Sequence, residues 1–369
     1  MRRWLFLAAA AAALAAGCRG PVPRGPGGLP PAIAKDVPYA ILVEALRSGQ
    51  PALEASATET FMEADRPPPL EFIEALADGP DARVRTTALA LLGLTRRPVV
   101  APVFQRRAED SSPAVRLAAA FGQAMTGNPA PVEALRDALA SPDVTQRRTA
   151  AWLLGLMGNP SAAGMLRLKL DDPDAIVALR AAEALNRLGS KEGIEAVRAL
   201  TEHDRHQIRY YAARLLGRLG SAADIPRLER LYQSRFLDVK FAAIASLAQL
   251  GDLKRIDLLL DILAERDAEA RLLAAREVGE TAYTPALGYL ERLLKSKDPQ
   301  ERTAAAEAII RIRSAQTSWR SRILVDQPVI PTVPAPKPMI PGTNIPSPAL
   351  PPATPPPYQA PPAPRLPQR

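Results

Sequence analysis

Two histidines, His203 and His206, stand in the segment EHDRHQ beside Glu202 and Asp204. Imidazole and carboxylate groups at this spacing suit a metal ion, and they equally suit a polar turn in which each group is solvated. The single cysteine, Cys18, rules out an intramolecular disulfide. No phosphate loop, dinucleotide fingerprint or nucleophile elbow is present. The reading is therefore no catalytic residue, no metal and no cofactor. What remains are groups that bind. Arg136, Arg167 and Arg198 recur 31 residues apart. Guanidiniums in such a row can grip an acidic partner, or form a solvated face paired to Glu133 and Glu195 three residues earlier. Aromatics are only 5% of the chain, yet Tyr210, Tyr211, Tyr232, Phe236 and Phe241 gather within 203–241. Tyr and Arg bury much area and keep polar ends, the property of residues that dominate interfaces. Tyr210, Tyr232 and Phe236 are expected to contact a partner, with the arginine row as a second, electrostatic contact. Tyr211, which precedes the constant alanine, either fills a gap between helices or joins that contact.

The elements that carry these groups repeat. Stepping by 31 from Val84 gives Val115, Gln146, Val177, Ile208, Val239, Ala270 and Glu301. One residue on stand Arg85, Arg116, Arg147, Ala178, Arg209, Lys240, Arg271 and Arg302. Four on, alanine stands in every copy from Ala88 to Ala305, where a methyl lets helices approach closely. Asp81, Asp143, Asp174, Asp267 and Asp298, with Ser112 in the same slot, are placed to cap a first helix. Gly127, Gly158, Gly189, Gly220 and Gly251 stand where a left-handed residue would end it. An apolar residue follows at +20 in each complete copy, from Phe104 to Leu290, and marks a second helix. A weaker copy precedes the first, with Ala57 and Ile73 in register. The segment from Tyr39 reads as a terminal cap, and the last copy stops after one helix near Ala315. Such a unit buries its apolar face only against its neighbours. The fold class is an all-α solenoid of about nine 31-residue helix pairs over residues 36–316. The basic ladder at +1 is expected to be structural, each arginine bridging to a carboxylate of its own or the next repeat.

The ends differ from the middle. Residues 1–17 have a basic start, an apolar run and small residues before Cys18, as in a secretory signal. Residues 18–35, rich in Pro and Gly, read as a tether. Residues 317–369 are Pro-rich, with Pro328, Pro331 and Pro334 at the polyproline spacing. They read as a disordered tail that serves as a spacer or as a ligand for a Pro-binding domain. The formal charge of +8 sits in the ends: residues 36–317 hold 37 basic and 38 acidic residues. A neutral solenoid lacks the basic footprint of a nucleic-acid binder.

Two resemblances follow from these motifs. Ala15, Ala16, Gly17 and Cys18 resemble the signal box of a bacterial lipoprotein, whose cysteine is lipidated after cleavage; Leu14 lies one place further out than is usual. The pattern in DARVRTTALALLG, residues 81–93, resembles the short bacterial HEAT repeats, also found in phycobilisome lyases. Copy three departs with Gln146 and copy eight with Ile310. The resemblance implies a concave face lined by the second helices. It implies lyase activity only weakly, and the His–Glu pairs of HEAT-type di-iron hydroxylases are missing. The expected function is a monomeric scaffold that binds protein partners in the cell envelope. A lipid on Cys18 would anchor it there, facing the periplasm from the outer membrane. The alternatives are a cofactor lyase, a metal-dependent hydroxylase and a glycosylase-like protein acting on DNA.

Overall fold

A computed structural model describes residues 35–64, 67–129 and 131–315. The signal, Cys18, most of the tether and the Pro-rich segment lie outside the described residues. Within them are eighteen α-helices and no strand, as the 31-residue periodicity predicts.

The helices form two layers. The longer ones are α2 (Pro51–Phe61), α4 (Ala82–Leu94), α6 (Pro113–Met125), α8 (Val144–Met157) and α10 (Ala175–Arg187). They continue as α12 (His206–Leu219), α14 (Leu237–Gln249), α16 (Ala268–Gly279) and α18 (Pro299–Ala315). The shorter ones are α1 (Val37–Ala45), α3 (Leu70–Ala77), α5 (Ala101–Arg107), α7 (Val132–Leu139) and α9 (Ala163–Arg167). After these come α11 (Ile194–Leu200), α13 (Ile225–Tyr232), α15 (Ile256–Ala264) and α17 (Leu287–Leu293). Each longer helix packs on the next longer one, and each shorter helix covers its partners from outside. The alanine column from Ala57 to Ala305 is fully buried throughout.

Local chemistry sets the boundaries. The side chains of Asp81, Asp143, Asp174 and Asp267 accept from backbone N–H groups of the first turn. Ser112 makes no such bond; Asp110 instead accepts from the Ser112 N–H. The +12 column is left-handed at Gly127, Gly158, Gly189 and Gly251, and also at Arg96 and Ala282. The topology thus imposes this conformation even where a β-carbon opposes it. Gly220 departs from the expectation: its backbone is extended, and its role is close approach to the Leu216 carbonyl.

The +1 arginines are structural. Arg85, Arg116, Arg147, Arg209 and Arg302 each donate from Nη1 to two carbonyls five and six residues earlier. Arg85 also forks onto Asp110 and Arg147 onto Asp172, while Arg271 bridges to Glu301 of the next repeat. Each pins the loop that leads into its helix.

A longer period overlies the 31-residue one. Gly93, Gly155, Gly217 and Gly279 stand 62 residues apart, each pressed on the next longer helix. A β-carbon on Gly155 would lie 2.7 Å from that of Ala184. The short 3₁₀ turns begin at Pro98, Pro160, Ala222 and Thr284, again 62 apart. Accordingly α4 with α6, α8 with α10, α12 with α14, and α16 with α18 pack most closely. Ile310, which departs from the glycine pattern, belongs to the other half of this two-repeat unit.

The array closes on itself. The shorter helix missing from the last repeat is supplied by α1, which packs along α18. Leu42 of α1 is fully buried and falls 31 residues before Ile73, so it fills the +20 slot. Arg311 of α18 donates to Thr60 and pairs with Glu63 of α2, and Arg313 approaches Asp36. The result is nine helix pairs in a ring among the described residues, with the longer helices inside.

Candidate functional site

Because the ring closes, side chains of the inner helices converge. A helix turns 100° per residue, so positions +3, +6 and +10 form one stripe. On α12 that stripe is Tyr211, Arg214 and Arg218; on α10 it is Arg180, Glu183 and Arg187. With Arg148, Trp152 and Leu156 of α8 they line a cavity of about 490 Å³. Glu59 of α2 and Arg311 of α18 complete it, with Met62 and Glu63 just after α2 and Glu280 just after α16. No shorter helix contributes to this lining, so the concave surface belongs to the first helix of each repeat, not the second as the resemblance implied. The longer helices, sealed all round except at this stripe, are the ones a ring must turn inward.

The cavity has two kinds of wall. Across α2, α16 and α18 the charges are closed off. Tyr210 donates to Glu277 at 2.8 Å, Arg214 donates to Tyr210 at 3.1 Å and pairs with Glu280, and Arg311 reaches Glu280, Glu63 and Glu307. This network passes over α14, whose residue at +6 is Ala245. Glu277 and Glu307 are almost wholly buried. Burial pushes both carboxyls above their ordinary value, despite Arg214 beside one and Arg311 beside the other. Burial acts the same way on Glu280, yet Arg214 and Arg311 hold it down to about 2.

The wall on α8, α10 and α12 is open and basic. The side chains of Arg148, Arg180 and Arg218 are 41%, 44% and 39% exposed. Arg148 forks onto Asp174. Arg180 and Arg218 share one carboxylate, Glu183, at 3.1 and 3.5 Å, and Arg187 also reaches it at 3.0 Å. Burial opposes charge on Glu183, but Arg187, Arg218 and Arg180 outweigh it and hold the carboxyl well below its usual range. Trp152 and Tyr211 stand among these arginines, and Tyr211 is 49% exposed.

The residues singled out in the sequence are dispersed. Tyr210 leans from +2 into the closed network, while Tyr211 faces the cavity. The 100° step between them decides which is free. Tyr232 lies beneath the guanidinium of Arg255 at 4.9 Å and the Lys240 amine at 5.7 Å. Phe236 stacks on His206 at 4.1 Å, with Arg235 at 4.9 Å. His206 faces Asp238 at 3.1 Å, and His203 accepts from the Arg205 N–H. Among the described residues no three His, Cys, Asp or Glu side chains gather as a metal-ligand set. The arginine row lies on the outer helices and is paired. Arg136 meets Glu133 at 3.1 Å, and Arg167 forks onto Glu192 of the next repeat. Arg198 forks onto Asp224 at 2.6 and 2.9 Å and also reaches Glu195. Sequence reading missed Trp152, Arg180, Arg218 and Tyr211 as a group; their shared +2 to +10 stripe on consecutive first helices was the available signal.

No curated protein sequence matches the chain. Among solved structures, the complex of CpcE and CpcF of phycocyanin lyase from Nostoc sp. PCC7120 is 20% identical. That match covers 69% of this chain and 96% of that one, with a TM-score of 0.33. The Escherichia coli protein YibA is 17% identical over 66% of this chain and 92% of its own, at 0.37. Human deoxyhypusine hydroxylase, solved with glycerol, is 19% identical over 66% and 96%, at 0.31. The HEAT-repeat model matches residues 69–155, 132–209, 165–248 and 199–275, more than half of the sequence. This chain belongs to the HEAT-repeat family.

Proposed function

We propose that the chain is an envelope scaffold, lipidated at Cys18, that binds protein partners through the inner surface of its HEAT ring and carries out no chemical step. The observation that supports binding is the open wall of the cavity. It places Trp152 and Tyr211, the ring types that anchor interfaces, among arginines that remain solvent-accessible. The guanidiniums and carboxylates around them answer each other's charge, an arrangement suited to recognition. Tyr232 of α13 and Phe236 at the start of α14, each under a guanidinium, offer a second contact apart from the cavity. Anchoring is a reading of the Ala-Ala-Gly-Cys box ending at Cys18.

The test joins both parts. Cells fed a palmitate analogue should label the protein, and Cys18→Ala should lose both the label and membrane fractionation. Affinity capture from crosslinked envelopes should return a defined partner with the wild-type chain and not with Trp152→Ala, Tyr211→Ala. A labelled Cys18→Ala protein, or equal capture by both chains, contradicts the corresponding half.

A further inference from the structure

We propose that the cavity receives an acidic peptide segment, with carboxylates on Arg180 and Arg218 and an apolar side chain against Trp152 and Tyr211. This rests on the binding role proposed above and names its partner by chemistry. Charge complementarity chooses the occupant. On the wall of α8, α10 and α12, Arg180 and Arg218 have a single carboxylate, Glu183, between them, and that carboxylate also serves Arg187. Both side chains keep about two-fifths of their surface in contact with solvent. An arriving carboxylate therefore gains a partner already desolvated on one side, at little cost in reorganisation. The apolar part is supplied by the same wall, since Trp152, Leu156, Leu179 and Tyr211 line the cavity between the arginines. A long polyanion fits poorly. Glu59 of α2 lines the cavity and is exposed, so a chain charged throughout meets repulsion on that side. A short acidic stretch flanked by apolar residues meets the basic wall and leaves Glu59 in water.

The probe is a fluorescein-labelled peptide of alternating glutamate and phenylalanine, titrated into the full chain and read by anisotropy. Its controls are the same peptide with lysine for glutamate, citrate as a small polyanion, and a single-stranded oligonucleotide. The glutamate peptide should bind and the lysine peptide should not, and added salt should weaken the binding. Arg180→Gln with Arg218→Gln, checked by circular dichroism, should weaken it by roughly tenfold or more. Tyr211→Ala keeps every charge and should weaken it too, which guards against a fold defect in the double variant. Arg136→Gln with Arg167→Gln, on the outer helices, should leave it unchanged. Equal binding of the two peptides, or no effect of the inner variants, overturns the proposal. Tighter binding of the oligonucleotide, or of citrate with no role for Tyr211, overturns it in favour of that ligand. Envelope capture separates the two levels. If the double variant still captures the wild-type partner, the acidic-peptide assignment falls and the binding role stands. If the wild-type chain captures nothing and binds no peptide, both fall.

Discussion

Arginines of two layers of the same ring make an internal comparison. On the outer helices, Arg136, Arg167 and Arg198 each face a carboxylate of their own or the following repeat. On the inner helices, Arg180 and Arg218 converge on one glutamate, while Arg214 is locked between Glu277 and Glu280. The difference is one of curvature. Side chains on the convex side diverge, so each finds a neighbour along its own row. Side chains on the concave side crowd toward each other, so several arginines share one carboxylate at Glu183 and Arg214 pairs with glutamates two repeats away. A ladder of arginines in a solenoid is therefore no guide to a binding face until the concave side is known.

The largest effect is expected where an inner arginine is buried. Arg214→Ala takes from Glu277, which is 1% exposed, its paired guanidinium and leaves Glu280 to Arg311 alone. Removing one partner of such a network typically costs about 3–5 kcal/mol, which thermal unfolding of the variant should show as a large loss. A loss no greater than that of an outer arginine would erase the distinction. Next comes the two-repeat unit. Gly155→Ala sets a methyl against Ala184 and should cost roughly 1–3 kcal/mol by overpacking. Asn186→Ala, at the same register in the following repeat, should cost much less; equal effects would deny the 62-residue period.

That period shows how far the sequence could be read. The 31-residue unit was legible because its signals are local: Asp caps, the alanine column and the +20 apolar residue all act within one repeat. Closure was not, because α1 and α18 meet across the whole array and their only shared mark is Leu42 falling in the +20 register. The inner layer was not legible either. Both helices of a pair bury an apolar stripe, and only the curvature decides which one faces inward. The same holds for Tyr210, whose partner Glu277 lies 67 residues on and two repeats away. Tyr210 and Tyr211 are adjacent in sequence, and only three-dimensional packing shows that the second is the accessible one.

Acid should weaken the inner wall. Glu183 has a folded-state pKa well below its unfolded one, so below the ordinary glutamate range the unfolded chain binds the extra proton. Its contribution is present at neutral pH and lost as pH falls from about 4.5 toward the depressed value. Urea unfolding across this window should show Glu183→Gln with a shallower acid loss than wild type. An unchanged slope would mean that the three arginines do not hold its charge. A small gain is expected at Ala282→Gly, which removes a β-carbon from a left-handed position, of about 1 kcal/mol. The smallest effect belongs to the outer row: Arg167→Gln breaks a pair in which both partners are about half exposed and screened by solvent, and thermal unfolding should barely shift.

The central claim is that recognition happens inside the ring, and site-specific photo-crosslinking in the native envelope tests it most directly. A photoreactive residue is placed at Tyr211, facing the cavity, or at Arg167, on the outer layer, and crosslinked partners are identified from each. The account predicts a defined protein adduct from position 211 and none from 167. An adduct from 167 with none from 211 would contradict it and move the binding face to the convex side.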